Sequence, residues 1–133
     1  MQKVHGALAH LFAGLLVIQF FLAGLGAFET VHDKHFKDSN FDAHSALGNG
    51  MVVLALIIAG IALLGRWSEF VTRLSLLLFG LMVIQELLGT LGADDSAWFG
   101  ALHAVNALLI VGVTYFLIRE SRQVQKQAET QTE

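Results

Sequence analysis

The chain has 133 residues, of which 55% are hydrophobic and 14% are charged, and its net charge at pH 7 is −3. Ordinary globular proteins carry roughly 25% charged residues, so the composition argues against a soluble domain. The net charge is small, and no basic patch suggests nucleic acid as a partner. The absence of cysteine excludes disulfides, thiolate metal sites and covalent C-x-x-C-H haem attachment.

Apolar residues are concentrated in four runs with short polar segments between them. The runs cover residues 4–28, 43–65, 70–92 and 98–118. Each has about the 20 apolar residues that a transmembrane helix requires, and no proline interrupts them. The sequence therefore predicts an all-α integral membrane four-helix bundle with up-down-up-down topology over residues 1–118. Residues 119–133 form a polar tail, which we expect to be a frayed helical extension followed by disorder.

The distribution of lysine and arginine predicts the orientation in the membrane. With both termini in the cytoplasm, the inner side would carry Lys3, Arg66, Arg73, Arg119, Arg122 and Lys126, and the outer side only Lys34 and Lys37. We expect a multi-pass protein of a bacterial inner membrane with both termini inside and acidic outer loops. The first run is too long and too polar for a cleaved signal peptide, so we interpret it as an uncleaved first span.

Polar and aromatic residues mark the expected ends of the helices. Asn40 or Asp42 is expected to cap the second helix, and Asp95 or Ser96 the fourth, because such side chains accept the free N–H groups of a first turn. Trp67 and Trp98 are expected at opposite membrane interfaces.

An internal repeat relates the first helix to the third. Residues 14–27 read GLLVIQFFLAGLGA, residues 80–93 read GLMVIQELLGTLGA, and nine of these 14 positions are identical. Each copy is followed by an outer loop and then by a helix with a histidine near its outer end. The pattern predicts two tandem helix-hairpin repeats, related by an axis along the membrane normal.

His44 and His103 are the histidines of the two repeat units. Counted from the expected caps, His44 lies about one helical turn inside the membrane and His103 about two, a difference of about 5 Å in depth. Two imidazoles on facing helices of a bundle can bind the two sides of one haem. We therefore predict one bis-histidine haem b near the outer surface. The alternative is that each histidine is simply an interfacial residue.

Small residues near the two histidines would make room for a planar cofactor. Gly48 follows His44 by one turn, and Ala107 follows His103 by one turn. Four more glycines leave the first and third helices without side chains at the same depth as the two histidines: Gly24, Gly26, Gly89 and Gly92. Close packing between helices would explain the same glycines.

Three polar residues within the spans complete the candidate site. Gln19 and Gln85 occupy equivalent positions of the repeat, and we expect them to bond to each other or to orient an imidazole. Bonding between helices would be a purely structural role for them. Glu86 is the acid inside the third span, where a carboxylate is costly and commonly functional. It would pair with a ligand N–H group or relay protons, unless it is a satisfied structural acid.

The remaining histidines give weaker signals. His10 lies in the inner half of the first helix, where we expect packing or an interfacial contact, with a second cofactor as the alternative. His32 and His35 belong to an acidic outer loop, where a solvated surface is expected and surface metal binding is the alternative.

Three segments, QFFLAGLG, FDAHSALG and ALHAVNA, carry a family resemblance. The chain resembles one four-helix half of haem A synthase, a family built from two such bundles, and also a group of small bacterial four-helix membrane proteins. The resemblance covers residues 3–118. In that family, histidines at the outer ends of the second and fourth helices of each bundle bind haem, and His44 and His103 match those positions. The family also has a glutamate three residues before the first histidine and an arginine just after it. This chain has Phe41 and Ser45 there, so the resemblance implies haem ligation and not hydroxylation of a haem methyl.

The leading hypothesis is a membrane b-type cytochrome-like protein, without catalysis, for electron transfer or haem handling. Its partners would be the lipid bilayer and a larger membrane redox complex or a second copy of the chain. Two alternatives remain. One is a cofactor-free accessory subunit of a larger membrane complex, and the other is a small proton or solute pathway that uses Glu86.

Overall fold

The structure is a computed structural model that describes residues 1–33, 38–65, 68–94 and 96–130. Several predictions fall outside those residues, namely the ones that involve Lys34, His35, Lys37, Arg66, Trp67 and Asp95.

Four long α-helices account for nearly all of the described chain. They are α1 (Gln2–Asp33), α2 (Asp42–Leu64), α3 (Glu69–Asp94) and α4 (Ala97–Thr130), and a short 3-10 turn (Asp38–Phe41) precedes α2. All four helices are long and apolar enough to cross a membrane. The predicted all-α, four-helix membrane architecture is confirmed, and the chain is a multi-pass membrane protein.

The helices form a closed ring in which α1 packs on α2, α2 on α3, α3 on α4 and α4 on α1. The interior is filled by apolar side chains from all four helices, including Phe12, Met51, Ile58, Leu78 and Ile110. Many other large apolar side chains point outward, among them Val17, Leu64 and Leu108. In a bilayer these outward faces contact lipid chains, so the outward apolar surface is as expected for a membrane bundle.

Ser96 caps α4, and it is one of the two residues that were predicted to do so. Its Oγ accepts a hydrogen bond from the backbone N–H of Trp98, 3.3 Å away. The prediction for α2 is wrong, because Phe41 occupies the cap position and makes no capping side-chain bond. The Asn40 amide instead donates to Thr30 Oγ1 at 3.3 Å, and Asp42 is already the first residue of the helix.

The α4 helix continues without a break to Thr130, past residue 118 where the polar tail was expected to begin. The predicted helical extension is present, and its first part contacts the start of α1. Ser121 Oγ lies 3.3 Å from His5 Nδ1, and the Gln125 amide donates to the Gln2 backbone oxygen at 3.0 Å. These contacts place the beginning of α1 and the end of α4 at the same end of the bundle.

At the opposite end, two glycines let α3 and α4 approach very closely. A β-carbon on Gly92 would lie 2.7 Å from the backbone nitrogen of Gly100 and 2.8 Å from its α-carbon. Such distances are shorter than any normal contact, so a side chain at residue 92 would force the two backbones apart. The close approach holds α4 beside α3 in the first turns of α4, near His103.

Candidate functional site

His44 on α2 and His103 on α4 lie side by side inside the bundle, near the end where α1 and α3 finish. The centroids of the two imidazole rings are 6.2 Å apart, and the ring planes are inclined by 57°. Both side chains are half-buried. The structure thus brings together two histidines that are 59 positions apart in the chain.

A backbone oxygen of α1 holds the ring of His44. Its Nδ1 lies 3.2 Å from the carbonyl oxygen of Gln19. The Gln19 side chain reaches back, and its amide donates to the backbone oxygen of His44 at 2.9 Å. Phe41 completes the surroundings with an edge-on ring contact at 6.4 Å between centroids.

A backbone oxygen of α3 holds the ring of His103 in the same manner. Its Nδ1 lies 3.0 Å from the carbonyl oxygen of Gln85. Gln85 is the repeat equivalent of Gln19, so the two imidazoles are held by corresponding backbone atoms of the two repeat units. The two units of the sequence repeat therefore contact their histidines in the same way.

These bonds decide which ring nitrogen carries the proton. A carbonyl oxygen can only accept, so Nδ1 of His44 and of His103 must each be the donor. In a neutral imidazole the other nitrogen, Nε2, then holds a free electron pair. Metal-bound histidines commonly have this arrangement, with one ring nitrogen donating to a backbone carbonyl and the other on the metal.

The side chains of Gln19 and Gln85 differ, although their backbones act alike. The Gln19 amide nitrogen lies 3.4 Å from His44 Nε2, and its Oε1 is buried with no hydrogen-bond partner among the described residues. The Gln85 Oε1 accepts a bond from the Asn106 amide at 2.7 Å. None of the three bonds described for these side chains joins the two glutamines to each other. The expected role in orienting an imidazole falls mainly to their backbone oxygens.

Asn106 is a buried member of the site that sequence reasoning missed. Its amide donates to Gln85 Oε1 and also to the backbone oxygen of Leu81 at 2.9 Å. It follows His103 by three residues, so it lies on nearly the same face of α4. That spacing was the available signal, since an asparagine within an apolar span needs bonding partners.

Gly48 lies beside two polar side chains, and its predicted role in making room for a planar cofactor stays a prediction. A β-carbon there would lie 2.8 Å from Glu86 Oε1 and 3.2 Å from the Gln19 amide nitrogen. The half-buried Glu86 therefore sits between α3 and α2, close to the Gln19 side chain. The structure gathers Gly48, Gln19 and Glu86 at one point beside His44.

Gly89 is the glycine that touches a histidine. A β-carbon on it would lie 3.2 Å from both Cε1 and Nδ1 of His103. Gly24 has nothing within 4 Å of such a β-carbon, and Ala107 is half-buried. Gly89 and Gly48 are thus the two of these small residues whose lack of a side chain leaves space for side chains of the site.

The remaining described histidines lie away from this pair. His5 is completely buried at the other end of the bundle, where its Nε2 is 3.1 Å from Ser75 Oγ. His10 Nδ1 donates to the Gly6 backbone oxygen at 2.7 Å, and its Nε2 accepts from Arg122 at 2.7 Å. His10 thus makes a contact between α1 and α4, and its place at a membrane interface stays a prediction. His32 is exposed at the end of α1.

Across the described ranges, no three His, Cys, Asp or Glu side chains converge as ligands of a single metal ion. A tetrahedral metal site with three or four protein ligands is therefore not formed by those residues. The two imidazoles instead offer a pair of ligands, which is what a haem iron requires, because the macrocycle supplies the other four nitrogens.

Comparison with known proteins returns one match. A family described as a family of unknown function (DUF6220) matches residues 19–91, just over half of the chain. The match contains Gln19, His44 and Gln85 and ends before His103. No curated protein and no solved structure matches.

Proposed function

The chain belongs to the DUF6220 family, whose function is unknown, and we propose that it is a membrane protein that binds one haem b with His44 and His103 as axial ligands. The observation that carries the proposal is the duplicated support of the two imidazoles. Each Nδ1 donates to the backbone oxygen of an equivalent glutamine, which leaves each Nε2 unprotonated and able to bind iron once the Gln19 amide moves from His44.

The separation of the two rings supports the same conclusion. Metal–imidazole bonds of about 2.0–2.1 Å put the centroids of two rings on opposite sides of one metal roughly 6 Å apart. The centroids of His44 and His103 are 6.2 Å apart. The helices therefore already stand at a spacing suited to a shared iron.

The side chains beside His44 can adjust to a cofactor. Iron binding at His44 Nε2 would displace the Gln19 amide, which lies 3.4 Å from that nitrogen. Moving the Gln19 side chain should cost little free energy. Its Oε1 is buried without a hydrogen-bond partner, which is unfavourable in the present position. His44 would keep its orientation, since a backbone oxygen sets it.

Two histidine ligands on one haem favour electron transfer or haem handling over oxygen chemistry, because they leave no open position on the iron. We further propose that both termini face the cytoplasm and that the haem lies near the outer surface of a bacterial inner membrane. The electron partner would be a larger membrane redox complex or a second copy of the chain.

An absorption spectrum of the purified protein tests the proposal. The protein should be produced in membranes with an ample supply of haem and then extracted in mild detergent. We expect a Soret band, a sharp α band on reduction, and close to one haem per chain. The double variant His44→Ala, His103→Ala should lose these bands. The matched control His10→Ala, His32→Ala should keep them.

A colourless wild-type protein would reject the proposal, and so would a Soret band that survives the double substitution at residues 44 and 103. Colourless protein that co-purifies with a larger complex would favour the accessory-subunit hypothesis. Flux through liposomes that Glu86→Gln abolishes would favour the transport hypothesis.

A further inference from the structure

One face of α4 changes from apolar to basic along its length, at the end of the bundle that carries both termini. Its positions are spaced three or four residues apart, so they line up on one side of the helix. From the bilayer outward they are Leu108, Val111, Tyr115, Arg119, Arg122 and Lys126. All six side chains are exposed.

This face points away from the bundle. Ser121 and Gln125 use the other side of α4 to bind His5 and Gln2 of α1. An open groove of about 370 Å³ follows the basic part of the exposed face, lined by Tyr115, Ile118, Arg119, Arg122, Gln123 and Lys126. The groove therefore opens on the outside of the bundle.

The charges of the groove are arranged for an anion. Arg122 donates to His10 Nε2 at 2.7 Å, and this bond fixes the guanidinium beside the groove. Glu120 is the carboxylate near Arg119, with 3.9 Å between Arg119 Nε and Glu120 Oε1, but it belongs to another face of the helix and does not line the groove. Among the residues that the structure describes, three cations thus line the groove and no acid does.

The apolar part of the face has the length of one membrane leaflet. Leu108 and Arg119 are 11 residues apart, which corresponds to about 16 Å along a helix. Half of a typical hydrocarbon core is about 15 Å thick. A lipid whose phosphate lies at Arg119 would therefore have its acyl chains beside Tyr115, Val111 and Leu108.

We propose that this face of α4 is a binding site for an anionic glycerophospholipid. Arg119, Arg122 and Lys126 contact the phosphate and head group, and the chains lie along the apolar part of the helix. Clusters of lysine and arginine just outside a membrane span attract anionic lipids. The site is independent of the histidine pair, which lies at the opposite end of the bundle.

Native mass spectrometry of the full chain in a neutral detergent tests the proposal. The probes are phosphatidylglycerol and phosphatidylcholine with identical acyl chains. We expect wild-type protein to retain phosphatidylglycerol several-fold more strongly. Arg119→Gln and Lys126→Gln should each lower the affinity for phosphatidylglycerol about fivefold and leave that for phosphatidylcholine unchanged. Arg119→Lys should keep most of the affinity, because the charge remains.

Arg73→Gln is the matched control, because Arg73 is an exposed cation near the same end of the bundle and is paired with Glu69 on its own helix. It should leave lipid binding unchanged. Equal affinity for the two lipids would overturn the proposal, as would an equal loss in the Arg73→Gln variant. Displacement of the lipid by millimolar glycerol 3-phosphate would show a site for soluble phosphates and would overturn it too.

Discussion

Gln19 and His44 hold each other through two reciprocal hydrogen bonds between α1 and α2. Nδ1 of His44 donates to the Gln19 backbone oxygen at 3.2 Å, and the Gln19 amide donates to the His44 backbone oxygen at 2.9 Å. The first bond orients the ring and uses no side-chain atom of Gln19. The second ties the two helices together. A substitution of the Gln19 side chain therefore removes the bond between the helices and leaves the bond that orients the ring.

We predict that Gln19→Leu lowers the free energy of unfolding by about 0.5–1.5 kcal/mol, the usual contribution of one hydrogen bond, while the haem content stays near one per chain. Thermal unfolding in detergent and the Soret absorbance measure the two quantities. Gln85→Leu is the comparison variant, because Gln85 also supports a histidine through its backbone oxygen. Loss of haem in Gln19→Leu would show that the side chain itself positions the ligand.

Replacing only one of the two histidines should leave the haem with one protein ligand. We predict that His44→Ala and His103→Ala each convert the spectrum from six-coordinate low-spin to high-spin and weaken haem retention, because one axial position is lost. Absorption and electron paramagnetic resonance spectra would show the change. His32→Ala should match the wild type, since His32 is exposed at the end of α1. An unchanged low-spin spectrum in either single variant would exclude that residue as a ligand.

Gly89 offers a test that leaves both histidines in place. A β-carbon at residue 89 would lie 3.2 Å from His103 Nδ1, so Gly89→Ala should shift the ring by a few tenths of an ångström and disturb its bond to the Gln85 oxygen. Changes to such supporting bonds commonly cost 10-fold or more in metal affinity, and we predict about a 10-fold loss of haem affinity. The rate of haem transfer to apomyoglobin measures this loss of affinity. Gly24→Ala is the control, with nothing within 4 Å of the new carbon, and equal losses in both variants would contradict the prediction.

The contact between Gly92 and Gly100 should control how α3 and α4 pack. Gly92→Ala places a carbon 2.7 Å from a backbone nitrogen, and we predict a loss of about 1–3 kcal/mol in stability, as for other overpacked positions. Gly80→Ala in the same helix meets nothing within 4 Å and should be neutral or stabilising, because alanine favours the helix. Thermal unfolding in detergent compares the two. A Gly92→Ala variant as stable as Gly80→Ala would mean that the helices separate easily.

His5 connects three helices at the end of the bundle that carries both termini. It is completely buried, and its two ring nitrogens lie near Ser75 on α3 and Ser121 on α4. Because hydrogen bonds between membrane helices are individually modest, we predict that His5→Ala lowers stability by about 1–2 kcal/mol. His10→Ala should cost less, since His10 is exposed. The spectrum of bound haem should be the same in both variants, and a loss of haem in His5→Ala alone would link the two ends of the bundle.

Several contacts could not be predicted from the sequence because they depend on how distant segments approach. Asn40 has the side chain of a helix cap, yet it bonds Thr30 on α1, since the 3-10 turn carries it there. Asn106 looks like an isolated polar residue in an apolar span, and only its nearness to α3 makes it a partner of Gln85. The sequence after Ile118 indicated a helical extension, but not the contacts that this segment makes with α1.

By itself, the sequence determined the four spans, their order and the duplication that puts His44 and His103 at similar depth. Those features follow from the length of apolar runs and from local spacing along a helix, which need no knowledge of neighbouring segments. Only the tertiary structure decided which atoms hold the imidazoles. Every residue of the chain has a backbone carbonyl oxygen. The role of those of Gln19 and Gln85 therefore arises from helix packing and not from their side chains.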